Sequence, residues 1–367
     1  MGKGVGIVLD NIIFYLQRSG GGSVYWSEII KRVDKSVHNI TYLEPKGEHN
    51  NIFYGSLRQT LTHPLLRESF GARALSFLSS LHRAPDPFIF HSSYYRVASD
   101  SRAINIVTIH DFMPEKFFRG LKRFVHSWRK RKAIKKADGI ICVSSNTKDD
   151  LLSYYPEVSA KCMITIPLGI SSDYFVIADP EASKLQVPSK SYILFVGRRS
   201  HYKNFDFVIS VVKTLKEYKL MVAGEEWTKT ELSVIADLND RVELVTNPSN
   251  AAMNELYNRA FCLLYPSSYE GFGIPVVEAM AAGCPVVALN ASSIPEVSGG
   301  AALLLDHLDV TSFASAIRKL EDHGVRNELI QQGLINASRY SWDRSVDQLM
   351  EFYMSVYNSV ENRVSNS

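Results

Sequence analysis

The sequence predicts an α/β protein made of two doubly wound domains, and three observations carry that prediction. The chain has 367 residues, too many for one ordinary core and enough for two. Short β-branched runs alternate with longer helix-patterned segments from end to end. The runs are apolar without interruption, as strands buried on both faces are, and helix-length connections between them imply parallel pairing.

In the first half, strands are predicted at 5–10 (VGIVLD), 88–91 (FIFH), 104–110 (INIVTIH), 139–144 (GIICVS) and 162–167 (CMITIP). In the second half they are predicted at 192–197 (YILFVG), 220–224 (LMVAG), 242–245 (VELV), 261–266 (FCLLYP), 285–289 (PVVAL) and 302–305 (ALLL). The divide falls in PLGISSDYF, Pro167 to Phe175, ahead of an irregular stretch holding Pro180 and Pro188. That gives domains of 1–168 and 169–341. Residues 311–322, 325–338 and 344–358 read as terminal helices, followed by a short polar tail after Tyr357. Two such domains facing one another would form a central cleft, with ligands at the carboxyl ends of the strands.

Composition narrows the class. A hydrophobic content of 46% and a charged content of 22% are those of a soluble globular protein. The net charge of +3 provides no global basic field, so nucleic acid is not an expected partner. Cys142, Cys162, Cys262 and Cys284 lie in or beside apolar runs without disulfide or metal-ligand spacing, which predicts reduced, buried thiols and a cytoplasmic setting. The opening MGKGVGIVLDNIIFYLQ lacks a secretory layout, Gly6 stands where a myristoylation motif wants Ser or Thr, and no apolar run approaches a membrane span.

Chemistry is expected just after the strands. After the first comes SGGGSVYW, where Gly20, Gly21 and Gly22 let backbone approach a ligand and Ser23 is placed to cap the next helix. The amides there suit an anion, although a flexible turn would look the same. The triplet does not fit a dinucleotide fingerprint. His91, with Tyr94, Tyr95 and Arg96 beyond it, ends one strand; aromatics of this kind suit a sugar ring and suit core packing nearly as well. His110 ends the strand before Asp111, which is placed to orient it or to cap the next segment.

In FVGRRSHYKNF, Arg198 and Lys203 lie five apart at a strand-to-helix turn, where two cations can clamp a diphosphate or form a solvated basic loop. The stretch YPSSYEGFGIPVVEAMAAGCPVVA reads as strand, loop, helix and strand. Pro275 sits near the first helical position, Gly283 ends the helix, and Gly271 and Gly273 expose amides at its N-terminus. Glu270 and Glu278 flank this loop. Carboxylates are poor phosphate ligands but good acceptors for vicinal hydroxyls. An anion loop between two such acids fits a nucleotide-sugar.

These motifs together resemble glycosyltransferase family 4, retaining enzymes of GT-B fold, in which two Rossmann-like domains face a central cleft. EGFGIPVVE is similar to the family's E-x7-E signature, GGGSVYW to its glycine loop, TIHDFMPE to its His-Asp strand end, and VGRRSHYKN to its Arg/Lys clamp. IPLGISSDYF is similar to its interdomain segment. YSWDRSVDQLMEFY is similar to its closing segment, which implies a helix over 342–360 returning to the first domain. Val24 departs from the pattern where many members carry Arg.

The resemblance implies that Arg198 and Lys203 neutralise the donor diphosphate and that Glu278 binds the ribose. Glu270 would hold the hexose near the amides of Phe272, Gly273 and Ile274. Gly21 and Gly22 would let the first domain close on the diphosphate. His110 would touch the transferred sugar or the acceptor, with His91, Tyr94, Tyr95 and Asp111 as acceptor contacts. It implies front-face attack, with the departing phosphate oxygen taking the acceptor proton. No Asp-x-Asp pair occurs, so no metal requirement is expected. HDFMPE looks most like mannosyl-transferring members, making GDP-mannose the first donor choice, with UDP-sugars open. By the same analogy the acceptor is a saccharide or lipid-linked oligosaccharide of bacterial surface polysaccharide (O-antigen or capsule-like) synthesis.

Residues 119–136 carry nine Lys or Arg, and Phe117, Leu121, Phe124 and Trp128 recur at helical spacing. That stripe fits either a core-facing helix or docking on an anionic membrane, at the inner face of the cytoplasmic membrane. Three alternatives stay open: a GT-B epimerase or phosphorylase, a nicotinamide-dependent dehydrogenase built on the Gly20 loop, and a nucleotide-sugar sensor without turnover.

Overall fold

The computed structural model describes residues 5–36, 39–68, 77–78, 87–178 and 191–365. The chain divides into two compact units, residues 1–168 with 342–367, and residues 169–341. The stretch holding Pro180 and Pro188 lies outside the described residues.

The first unit is built on a parallel sheet of β1 (Gly6–Asp10), β2 (Ile40–Pro45), β3 (Leu65–Glu68), β4 (Phe88–Ser92), β5 (Ala103–Ile109), β6 (Gly139–Cys142) and β7 (Cys162–Thr165). Their order across the sheet is β3-β2-β1-β4-β5-β6-β7. The second unit repeats the plan with β8 (Tyr192–Val196), β9 (Lys219–Gly224), β10 (Val242–Thr246), β11 (Cys262–Tyr265), β12 (Val286–Leu289) and β13 (Leu303–Leu305). Their order is β10-β9-β8-β11-β12-β13, again all parallel. In each sheet the winding reverses beside the first strand, between β1 and β4 and between β8 and β11. At such a point the connections leave in opposite directions and open a crevice beyond the strand ends. Phe77–Leu78 and Val97–Ala98 form a separate short parallel pair.

Burial explains the strand pattern. All five residues of β1 and β4 are buried, and so are those of β11 and β12. Helix Phe205–Thr214 seals one face of the second sheet with Val208, Ile209, Val211 and Val212, beside Phe313 and Ile317 from helix Val310–Lys319. The eleven strands expected from the apolar runs are all present, with ends shifted by up to two residues. β2 and β3 were not expected. β2 ends in Glu44 and Pro45 and β3 contains Arg67, so neither reads as an apolar run. Glu44 is 1% exposed, bonded by Tyr15, Tyr54 and Arg58, so a polar residue in that strand is satisfied within the fold.

Helices end the second unit at Val310–Lys319 and His323–Ala337. The last helix, Trp342–Ser365, belongs to the first unit and runs through the stretch expected to be a polar tail. It packs through Leu349, Phe352, Tyr353 and Val356, and Ser345 donates to the Pro167 carbonyl at 2.7 Å. Gly139 permits that packing, because a Cβ there would stand 2.8 Å from Val356 and from Ile106. Cys142, Cys262 and Cys284 are buried free thiols and Cys162 is half-buried. Burial pushes Cys142 and Cys284 up to about 12, which removes their nucleophilic thiolates at neutral pH.

Candidate active site

In the second unit, the loops after β8 and β11 lie on either side of the sheet's reversal. The first passes through Gly197 (φ +113°), a tight turn over His201–Lys203, and Asn204 in the left-handed region. Asn204 ties the loops together, its Nδ2 donating to the Pro266 carbonyl and to Ser268 Oγ, each at 2.7 Å. Ser268 N–H returns a bond of 2.7 Å to the Tyr202 carbonyl.

That stitching brings Lys203 and Glu270 into contact. The Lys203 ammonium lies 2.8 Å from Glu270 Oε1 and 3.0 Å from the Tyr265 hydroxyl. The same oxygen accepts from the Tyr265 hydroxyl at 2.8 Å and from Ser267 Oγ at 2.7 Å. The Glu270 backbone is fixed as well. Its N–H donates to Ser292 Oγ at 2.8 Å, and Ser293 Oγ donates to the carbonyls of Glu270 (3.0 Å) and Phe272 (2.8 Å).

Gly273, at φ +98°, precedes helix Ile274–Ala281. A Cβ there would meet Ile294 Cδ1 at 2.7 Å, so the loop requires glycine for its torsion and for its packing. Phe272 turns its ring inward against Tyr340, and the first amides of the Ile274 helix follow directly. One turn into that helix, Glu278 accepts from the Tyr257 hydroxyl at 3.0 Å, and Tyr174 also hydrogen-bonds to it. Burial outweighs those two bonds and pushes its carboxyl up to about 7.

The neighbouring arginines Arg198 and Arg199 have different surroundings. Arg198 is 71% exposed, pairing at the surface with Glu225 at 2.9 Å. Arg199 is buried, bonded to Glu231 and to the carbonyls of Glu225 and Glu226, with its face over Trp227. It shapes the loop while Arg198 remains available.

In the first unit, helix Gly21–Ser36 begins at Gly21, so Gly21 and Gly22 supply its first amides. Ser23 is therefore within the helix rather than its cap, and its hydroxyl accepts from Gln17 at 2.7 Å and Asn51 at 2.9 Å. His110 follows β5 with its ring edge-on to Tyr25, 4.7 Å between centroids. Burial, aided by Lys130, lowers His110 to about 4, so it is neutral near pH 7. Asp111 accepts from the Met113 N–H at 3.0 Å, capping the segment that follows.

His91 requires a correction. It is fully buried, with Nδ1 2.6 Å from the Tyr353 hydroxyl and Nε2 2.9 Å from Thr108, and burial lowers it to about 3. It ties the last helix to the sheet and presents nothing to a sugar. Tyr94 engages His126 through its hydroxyl at 2.9 Å, and Tyr95 lies under the Lys130 ammonium, so both are tied into the local packing.

In the basic helix Gly120–Lys136, Phe124 and Trp128 do not face the core; the Leu121 side chain lies outside the described residues. Phe124 is 66% and Trp128 49% exposed, whereas Lys130 is wholly buried against Glu115 at 2.6 Å. Sequence reasoning did not find Tyr265, Ser292 or Ser293. The two serines do follow a strand end at Leu289, which was the available signal.

Comparison with known proteins finds relatives of the sequence and of the fold. Residues 179–334 match the family model described as glycosyl transferases group 1, and residues 19–174 match that of glycosyltransferase family 4. The O-antigen chain mannosyltransferase B of Escherichia coli is 26% identical over 80% of this chain and 78% of its own length. The O-antigen chain mannosyltransferase RfbU of Salmonella typhimurium is 27% identical over 59% of this chain, which covers 60% of that relative. Among solved structures, sucrose-phosphate synthase from Thermosynechococcus elongatus superposes with a TM-score of 0.74 at 16% identity, covering 97% of this chain and all of the other. Anabaena HepE in complex with UDP and glucose gives 0.73 at 17%, covering 96% and 100%.

Proposed function

The chain belongs to glycosyltransferase family 4, with the GT-B fold, and on that premise we propose that it is a retaining hexosyltransferase using a nucleotide-activated sugar. The observation that carries this reading is the Lys203–Glu270 pair, held at the reversal of the second sheet beside the left-handed Gly273 loop.

Lys203 and Arg198 offset the charge of the donor diphosphate, Lys203 as a point charge and Arg198 through its fork. Glu278 accepts from the ribose hydroxyls and Glu270 from the hexose, while the amides of Phe272, Gly273 and Ile274 face the phosphates. As the glycosidic C–O bond to phosphate breaks, the new bond to the acceptor oxygen forms on the same face. The departing phosphate oxygen takes the acceptor's proton. No protein nucleophile is needed, so the rate comes from positioning and from stabilising leaving-group charge. For the first unit, the resemblance assigns Gly21 and Gly22 to the diphosphate, and His110, neutral near pH 7, to the transferred sugar or the acceptor hydroxyl.

The names of the relatives, O-antigen chain mannosyltransferases, favour mannose as the transferred sugar and an acceptor of O-antigen type; we infer GDP-mannose as the donor and a saccharide or lipid-linked oligosaccharide as the acceptor. The UDP and glucose in the HepE complex make UDP-glucose the competitor to test. Calorimetric titration with GDP, UDP, ADP and dTDP, without added metal, is expected to show one nucleotide binding at least tenfold tighter than the rest. Binding of none would overturn the donor-site reading.

The reading includes work at the cytoplasmic face of a membrane. No helix among the described residues is long and apolar enough to cross one. Helix Gly120–Lys136 exposes Phe124, Val125 and Trp128 among Arg123, Arg131, Lys135 and Lys136, with Arg119 just before it. Aromatic side chains can enter the headgroup layer while cations meet anionic lipid, at about 1 kcal/mol per cation. Vesicles containing phosphatidylserine should sediment the protein and pure phosphatidylcholine vesicles should not. Replacing Phe124 and Trp128 by Ser together should weaken binding about tenfold or more. Equal sedimentation with both lipids would remove the anionic surface from the proposal.

A further inference from the structure

Tyr265, the last residue of β11, is 1% exposed and belongs to none of the roles above. Its hydroxyl accepts from the Lys203 ammonium at 3.0 Å and donates to Glu270 Oε1 at 2.8 Å. Its ring lies beneath the same ammonium, 5.0 Å from nitrogen to centroid. The direction of each bond is fixed by chemistry, since an ammonium can only donate and a carboxylate can only accept. The hydroxyl therefore has one arrangement, receiving from Lys203 and giving its proton to Glu270.

This arrangement divides the carboxylate into two unlike oxygens. Oε1 carries three donors, from Lys203, Tyr265 and Ser267. Oε2 receives no hydrogen bond from the described residues, and the side chain is 15% exposed. Lys203 likewise directs two of its three donors inward and keeps one. The buried side of the pair is saturated and the open side has one acceptor oxygen and one N–H.

We propose that Tyr265 is a positioning residue, whose hydroxyl holds the Lys203 ammonium and the Glu270 carboxylate in register so that Oε2 and the remaining ammonium proton meet the donor together. This deepens the transferase reading and rests on it. Without the hydroxyl, Lys203 and Glu270 would still attract one another. The carboxylate plane could then turn about its last bond, away from the orientation that presents its open oxygen to the donor. The cost falls on the transition state, where phosphate charge and the sugar must both be held, more than on ground-state binding.

The test is Tyr265→Phe, which keeps the ring and removes one oxygen. Release of GDP from GDP-mannose, and of UDP from UDP-glucose, is measured without acceptor across donor concentration for wild type, Tyr265→Phe, Glu270→Gln and the double variant. The expected result for the donor that turns over is a kcat about tenfold lower in Tyr265→Phe with KM within about threefold. In the Glu270→Gln background the same substitution should change kcat by less than about twofold, because the group it acts through has gone. Wild-type kcat in Tyr265→Phe, or an equal loss in both backgrounds, overturns the positioning role. If Glu270→Gln itself turns over like wild type, or if neither donor turns over in the wild type, the underlying site reading fails, and the positioning role with it.

Discussion

Replacing Lys203 by Ala is expected to lower kcat about a thousandfold, with the donor KM changed far less. When the bond to the sugar breaks, negative charge grows on the diphosphate, and Lys203 is the cation this site fixes most firmly among the described residues. The Lys203 side chain is 11% exposed and its ammonium is anchored by two hydrogen bonds, so it need not reorganise as charge develops. Removal of one such preorganised donor typically costs about 10²–10³ in rate. Arg198 cannot compensate, because its 71% exposure leaves it screened by water. Lys203→Arg should recover only part of the loss, since a planar fork cannot occupy the place of a point charge between Tyr265 and Glu270. Steady-state kinetics with a thermal melt on each variant decides it. A kcat within about threefold of wild type, in a protein that melts normally, would remove Lys203 from the chemistry.

The second large effect concerns Glu278. Glu278→Gln is expected to weaken nucleotide binding roughly a hundredfold, close to 3 kcal/mol, because a charged acceptor for two ribose hydroxyls is lost. The free protein holds this carboxyl up at about 7, so nucleotide affinity of the wild type should climb as pH rises toward 7 and level off above it. Stability should move oppositely. The folded carboxyl sits above its ordinary value of 4.5, so the folded state binds more protons than the unfolded chain between those two values. Its ionisation therefore costs stability progressively as pH rises from about 4.5 to 7, on the order of 3 kcal/mol in all. Glu278→Gln escapes that cost. It should melt higher than wild type above pH 7 and near wild type at pH 4, while binding nucleotide poorly throughout. Calorimetry and thermal melts across that range test both signs. Undiminished nucleotide affinity in the variant would reject the ribose role.

The legible parts of this molecule are those in which a local residue pattern has one physical solution. The apolar runs at 192–196 and 262–265 can be buried only between two layers, and the Gly273 to Pro275 sequence can only open a helix from a left-handed turn. The Arg/Lys pair and the two acids could be located because they follow such strands. Other features depend on partners distant in sequence. His91 looked like a strand-end ligand because nothing nearby shows that Tyr353, 262 positions later, takes its ring nitrogen. β2 was hidden by Glu44, whose partners lie up to 29 residues away. The Gly120–Lys136 helix has cations all round, so its pattern could not say that Lys130 points inward and Phe124 outward. Tyr265 looked like one more core aromatic, and its hydroxyl acquires meaning only beside Lys203 and Glu270.

The helix Trp342–Ser365 has a consequence for the order in which the protein is made. It completes the first unit, yet all of the second unit is translated before it. Until it emerges from the ribosome, β5 lacks the helix that lies against it, and His91 lacks the Tyr353 hydroxyl that meets its Nδ1. The second unit is contiguous and can reach its native state during synthesis. The unit begun first is therefore finished last, and it must tolerate an exposed apolar seam for as long as about 170 further residues take to be added.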